Sequence, residues 1–126
     1  MIDNHKNELP ILDDSQVEEL FNARCADLKI IAKEKQYKKF VETCKEKCVN
    51  KKMNLTNMFL GPITASLIGR WMLAELIDIT HLYLGENNLG DAGLESIAPA
   101  IAVSKTLIAL DLQQNQFTPR CANSLL

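Results

Sequence analysis

Hydrophobic positions in the first part of the chain recur at helical spacing. Residues 15–18, Ser-Gln-Val-Glu, fit a capping box, in which the serine oxygen accepts a backbone proton and the glutamate reaches back to the serine amide. This box predicts a helix from Gln16. The apolar positions that follow at intervals of three and four are Val17, Leu20, Phe21, Leu28 and Ile31.

A second and clearer amphipathic helix is predicted from Lys35. Its apolar stripe advances by three, four, seven and eleven residues and contains Tyr37, Phe40, Val41, Cys44 and Cys48, while lysines and glutamates fill the opposite face. We therefore predict an all-helical segment over residues 11–52. Residues 1–10 have no period and end in Pro10, which predicts an extended or mobile arm.

Beyond residue 52 the pattern changes to short alternating runs that repeat. Five positions recur after 28 residues: Ile79, Leu82, Leu84, Asn87 and Leu89 become Leu107, Leu110, Leu112, Asn115 and Phe117. A weaker copy lies 29 residues upstream, where Met53, Leu55 and Leu60 match and Met58 replaces the asparagine. Helical pieces follow Gly61 and Gly90, with Pro62 suited to a first helical position and Asp91 to an N-cap.

The run from Leu82 to Gly93, Leu-Tyr-Leu-Gly-Glu-Asn-Asn-Leu-Gly-Asp-Ala-Gly, resembles a leucine-rich repeat of the ribonuclease-inhibitor type. The resemblance covers residues 50–126 and implies an α/β fold, a solenoid of short parallel strands with helices on its convex side. About two and a half repeats would occupy residues 53–126, and residues 11–52 would form a helical N-terminal cap, with Trp71 either packed under the cap or in a lateral contact. Because Leu125 and Leu126 align with Ile97 and Ala98 in a repeat helix, we expect a fragment of a longer protein.

The resemblance also assigns a structural role to two asparagines. Asn87 and Asn115 stand where the chain leaves a strand, and their amides are expected to bond turn backbones of their own repeat and the adjacent one.

Charge is segregated along the 126 residues, although the formal net charge is only −2. Residues 1–23 hold six acids and one lysine, residues 24–52 hold ten bases and four acids, and the remainder holds six acids and three bases. With 47% hydrophobic residues and no signal peptide or membrane span in the sequence, we expect a folded cytoplasmic protein, with a cytoskeletal location left open. Its four cysteines form no Cys-x-x-Cys pair and are interpreted as reduced thiols.

The candidate chemistry is sparse. The chain has two histidines and no phosphate-binding glycine motif, so we predict no catalytic residues, no metal and no cofactor. Cys44 and Cys48 are compatible with a site that includes His5 or with two core thiols one helical turn apart, and the core interpretation is favoured.

Function by resemblance is binding of another protein through the concave strand face. The residues predicted to face that side and contact the partner are His81, Tyr83, Glu86, Asp111, Gln113 and Gln114. Tyr83 is the predicted energetic anchor, because aromatic side chains concentrate binding energy at interfaces. A cytoskeletal or other multi-protein assembly remains open, and no membrane insertion is expected.

The sequence leaves two other functions open. A GTPase-regulatory repeat domain would need an arginine or asparagine beside a nucleotide, and none of Arg24, Arg70 and Arg120 stands on a predicted concave strand. The lysine-rich helix could instead bind an acidic filament or nucleic acid. Nucleic acid is disfavoured, because that segment has one arginine and its two aromatics, Tyr37 and Phe40, lie on the apolar stripe.

Overall fold

The computed structural model describes residues 8–120, which form a mixed α/β fold. In chain order the elements are α1 (Asp14–Leu28), α2 (Glu34–Lys47), β1 (Cys48–Val49), β2 (Lys52–Asn54), α3 (Pro62–Leu73), β3 (His81–Tyr83), α4 (Gly90–Val103) and β4 (Ala109–Asp111). The strands lie in the sheet order β1-β2-β3-β4. The β1–β2 pair is antiparallel and the other two pairs are parallel.

The register of the parallel strands follows the sequence repeat. Met53 lies beside Leu82, and Leu82 lies beside Leu110, so equivalent residues are 29 and 28 positions apart, as the sequence predicts. The ladder continues past the strand ends, because the amides of Leu55 and Leu84 donate to the carbonyls of Tyr83 and Asp111 at 2.9 and 2.8 Å. Neighbouring repeats are thus joined backbone to backbone well into the turns.

One hydrophobic core lies between the sheet and the helices. Met53 and Leu82 contribute from the strands and Ile68 and Ile97 from the helices, and all four are fully buried. Trp71 is also buried in this core. Fully burying a leucine, isoleucine or methionine side chain contributes about 1.5–3 kcal/mol to the free energy of unfolding, so the core is a large stabilising term.

The first helix begins two residues earlier than predicted. The Asp13 carboxylate accepts the Gln16 amide proton at 2.7 Å, and the Gln16 side chain accepts the Asp13 amide proton at 2.9 Å. The capping box predicted from Ser15 is therefore wrong in position. Lys29 adopts a left-handed conformation (φ 55°) that ends α1, which leaves Ile31 exposed outside the helix.

The predicted amphipathic helix is confirmed, but the segment over residues 11–52 is not all helical. Phe40 and Cys44 are buried on α2, whereas Cys48 begins β1. A two-residue turn with positive φ at Asn50 (55°) and Lys51 (65°) then leads into β2. Such a turn matches the twist of an antiparallel hairpin, which explains why the chain reverses here.

The predicted N-terminal arm lies partly outside the described residues, which begin at Glu8. Leu9 and Pro10 run along the β1–β2 turn. The Leu9 amide donates to Oδ1 of Asn50 at 3.0 Å, the Asn50 amide donates to the Leu9 carbonyl at 2.9 Å, and Pro10 forms a bridge with Val49. This part of the arm is extended and bonded to the hairpin.

Asp27 joins α1 to the start of α3. Its carboxylate accepts the backbone protons of Gly61, Ile63 and Thr64 at 2.8, 2.8 and 3.0 Å and the Thr64 hydroxyl proton at 2.7 Å. A Cβ on Gly61 would lie 2.7 Å from this carboxyl group, so any other residue there would displace the Asp27 side chain. A carboxylate at a helix N-terminus pairs with free amides and with the positive end of the helix dipole.

Pro62 is at the start of α3, as predicted, but the N-cap predicted at Asp91 is wrong. Helix α4 begins at Gly90, so Asp91 lies in its first turn. Its carboxylate accepts the Thr118 amide proton at 2.8 Å and also the Thr118 hydroxyl proton. Thr118 occupies the repeat position of Gly61, so Asp91 binds the same backbone site that Asp27 binds earlier in the chain.

The amide of Asn87 is buried and bonded only to backbone. Its oxygen accepts the Met58 and Leu60 amide protons at 2.9 and 3.0 Å. Its nitrogen donates to the carbonyls of Leu55, Leu84 and Gly85 at 2.9, 3.0 and 3.2 Å. The side chain thus pairs groups of its own turn and of the preceding one.

Asn115 repeats this arrangement one unit later. Its oxygen accepts the Leu89 amide proton at 3.1 Å. Its nitrogen donates to the carbonyls of Leu84, Leu112 and Gln113 at 2.8, 3.0 and 3.1 Å. The two amides therefore occupy equivalent places in successive turns.

We predict that Asn87→Ala lowers the free energy of unfolding by about 1–3 kcal/mol, because buried backbone groups lose their partners. Glu86→Ala is the control, since Glu86 is exposed and adjacent. Urea titration followed by circular dichroism measures both. Equal losses at the two positions would contradict the assigned role of the amide.

We predict that Asp27→Ala also costs about 1–3 kcal/mol, since charge-assisted hydrogen bonds to the α3 N-terminus disappear. Asp27→Asn retains one acceptor oxygen and should lose less. Glu19→Ala, at an exposed position of α1, controls for loss of an acidic side chain on the same helix. A thermal unfolding series would argue against this contact if Asp27→Ala and Glu19→Ala had the same midpoint.

Candidate partner-binding surface

The sheet has one face that is not covered by the helices. Side chains alternate along a strand, so the neighbours of the buried Met53 and Leu82, and of Leu110 (39% exposed) at the equivalent position of β4, project to the opposite side. We call this side the open face. It consists of Lys52 and Asn54 on β2, His81 and Tyr83 on β3, and Ala109 and Asp111 on β4.

The register places these residues in two rows across the sheet. Asn54, Tyr83 and Asp111 form one row, and Lys52, His81 and Ala109 form the other. Adjacent strands lie about 4.8 Å apart, so side chains in a row are direct neighbours. The structure therefore brings together three of the predicted contact residues: His81, Tyr83 and Asp111.

Tyr83 occupies the middle strand of the open face. Its ring is half-buried and lies 5.9 Å from the ring of His81, centroid to centroid, at 58°. Nδ1 of His81 is 2.7 Å from the Thr80 hydroxyl, which holds the imidazole at the strand entrance. The two rings form a small aromatic platform between polar neighbours.

Asp111 is held in place by its own turn. Its Oδ1 accepts the Gln113 amide proton at 3.0 Å, and its Oδ2 lies 3.3 Å from Nε2 of Gln113. Asn54 makes the equivalent bond to the Thr56 amide at 3.2 Å. Both side chains therefore face the surface with fixed orientations and with acceptor capacity left over.

Gly85 is a positioning residue that the sequence did not single out. A Cβ at this position would lie 3.2 Å from the Asp111 carboxylate and 3.3 Å from Cγ of Gln113. Thr56 and Gln113 occupy the same place in the other two repeats. A glycine at this position is the feature of the sequence that could have indicated the contact, because the absence of a side chain leaves room for Asp111 and Gln113 beside the second repeat.

Glu86 and Gln114 are not on strands. Both are exposed in the turns that follow β3 and β4, with left-handed backbones (φ 56° and 54°). Gln113 also follows the end of β4. These three residues lie at the rim of the open face rather than on the alternating strand positions that the sequence predicted.

The lysines of α2 and its neighbourhood are exposed and interspersed with acids. Lys38 pairs with Glu34 at 3.3 Å, and Lys51 pairs with Asp78 at 3.3 Å. Glu42 and Glu46 further divide the basic face. The surface is mixed in charge rather than uniformly basic.

The three arginines lie away from the open face. Nε of Arg24 donates to the Met58 carbonyl at 2.8 Å, Arg70 is near the end of α3, and Nε of Arg120 lies 3.0 Å from Glu95. The structure thus places no arginine on the strands of the open face.

Residues 8–120 contain no cluster of three or more His, Cys, Asp or Glu side chains arranged for a metal. Cys25, Cys44 and Cys48 are free and buried. A hydrogen bond to Cys48 and burial raise the pKa of the Cys44 thiol, so the thiol stays protonated. His5 and Cys121 lie outside the described residues.

Among the described helices, none has the length and apolar character needed to cross a membrane.

Comparison with known proteins identifies one segment. Residues 77–98, which contain β3 and the start of α4, match the sequence model of a family described as Leucine Rich repeat. No curated protein matches the chain, and no solved structure does. The matched segment contains Leu82, Leu84, Asn87 and Leu89, the positions that recur along the chain. The chain therefore contains a leucine-rich repeat at residues 77–98.

Proposed function

We propose that this chain is a non-enzymatic protein-interaction module whose repeats are of the ribonuclease-inhibitor-like type. The open face is the concave surface of a solenoid, and α1 and α2 cover its first repeat. The observation that carries the proposal is the parallel register, which places Asp111 of β4 beside Tyr83 of β3, with His81 two residues before Tyr83 on the same strand.

The chemistry of the open face suits a protein partner. Tyr83 offers an aromatic ring and a hydroxyl that has no hydrogen-bond partner among residues 8–120, while Asp111 and Asn54 offer oriented acceptors. An aromatic anchor surrounded by polar groups is typical of the residues that dominate protein interfaces. Glu86, Gln113 and Gln114 would contribute at the rim.

Two other functions have less support. A GTPase-regulatory domain is disfavoured because the arginines lie off the open face and two of them bind groups of the fold. Cap-mediated binding of an acidic filament or nucleic acid would use the lysines of α2, whose charge is interrupted by Glu34, Glu42 and Glu46. The free buried thiols fit a reducing compartment, so we propose a cytoplasmic location.

We predict that Tyr83→Ala combined with Asp111→Ala weakens partner binding by about thirtyfold or more, because truncating a hot-spot residue costs about 2 kcal/mol or more. The partner would be recovered by affinity purification and its binding measured by surface plasmon resonance. The comparison variant reverses the charge of Lys38, Lys39, Lys45 and Lys47. Retention by this variant and loss by the strand variant is the expected pattern, whereas the opposite pattern would move the site to α2.

A further inference from the structure

A cavity of about 900 Å³ lies away from the open face, in the N-terminal part of the molecule. One wall is the segment that leads into α1, including Leu12 and the first turn of that helix. The other wall is the C-terminal half of α2 together with β1. No residue of the open face lines it, so it is a separate feature of the molecule.

The floor of the cavity is apolar. Leu12, Val17, Cys44 and Cys48 line it, and each is at most 9% exposed. Burial and the neighbouring Cys48 thiol raise the pKa of Cys44, which keeps that thiol uncharged. The floor therefore offers buried methyl, methylene and thiol groups to a ligand.

The rim of the cavity is acidic on both walls. Asp13 and Asp14 stand on the α1 side, and Glu42 and Glu46, one helical turn apart, stand on the α2 side. The Asp13 carboxylate caps α1. Within residues 8–120, Asp14, Glu42 and Glu46 take part in none of the ion pairs.

The rim carries negative charge, whereas residues 24–52 as a whole are positive, with ten bases and four acids. Only Lys45 contributes a base to the cavity lining. Two of the four acids in that segment, Glu42 and Glu46, thus line one cavity. Asp13, which precedes α1, and Asp14, which begins it, line the same cavity. A ligand that matches this arrangement carries positive charge at two separated places and apolar surface between them.

We propose that this cavity binds a short basic peptide segment, in which apolar side chains enter the floor and flanking lysines or arginines pair with the acidic rim. The volume is at the upper end of the range for ligand pockets, which is roomy enough for more than one side chain. Apolar burial supplies affinity and the two acidic walls supply orientation. The proposal is independent of the open face.

The test uses a fluorescein-labelled, amidated hexapeptide of sequence Lys-Arg-Leu-Leu-Arg-Lys, with binding followed by fluorescence anisotropy. The protein variant is Glu42→Lys/Glu46→Lys. The matched control is Glu18→Lys/Glu19→Lys, which makes the same change in net charge at exposed positions of α1 outside the cavity lining. Circular dichroism checks that both variants fold. A second peptide, Lys-Arg-Ser-Ser-Arg-Lys, keeps the charge and removes the apolar side chains.

We expect the wild type to bind the leucine peptide, the rim variant to bind it at least about tenfold more weakly and the control variant to bind it as the wild type does. The serine peptide should lose most of the affinity. In a ¹H–¹⁵N correlation spectrum, the leucine peptide should shift the amides of Val17, Glu42, Cys44 and Glu46 and leave those of His81 and Tyr83 unchanged.

Several results would overturn the proposal. Failure of the wild type to bind the leucine peptide is one, and equal weakening by the rim and control variants, which indicates attraction to net charge alone, is another. Equal binding of the two peptides would remove the role of the floor. Amide shifts confined to β3 and β4 would assign the peptide to the open face, which would support the proposed function while contradicting this site.

Discussion

The pairing of buried backbone groups in the turns is the constraint on which the repeat region depends. The described parallel strands are only three residues long, so each turn from strand to helix carries peptide groups into the core. Unpaired, each such group would cost roughly as much as a lost hydrogen bond. The amides of Asn87 and Asn115 pair them in two successive turns, and this fixes the distance and register between units. That register in turn determines which side chains of the open face lie next to each other.

The sequence predicted those parts of the fold that repeat or have a strong period. The 29- and 28-residue shifts, the amphipathic stripe of α2 and Pro62 at the start of α3 all depend on local spacing, which a sequence displays directly. The start of α1 was misplaced because Asp13, Asp14 and Ser15 are three consecutive residues that can each cap a helix. Only the packed structure selects among them.

Contacts between elements could not be predicted from the periodicity of the sequence. Asp27 binds amides 34 to 37 residues away and shares no pattern with them, so nothing local indicated that it caps α3. The candidate surface shows the same division. Strand alternation placed His81, Tyr83 and Asp111 together, whereas the left-handed backbones of Glu86 and Gln114 removed these residues from the strands. Counting charge by blocks likewise concealed that Glu42 and Glu46 face the acids of α1 across a cavity.

The two asparagines also give the repeats a direction. Each amide bonds its own turn and the one before it, and the first unit, where Met58 stands at this position, is met by Arg24 of α1 instead. A unit of 28 or 29 residues therefore carries the means of attachment to its predecessor within itself. Duplication or loss of a whole unit after the first one keeps every amide matched, so in-frame recombination can change the number of units while the N-terminal helices stay as they are. The bonding between units thus sets fewer limits on the number of units than on the first one, which must also fit α1.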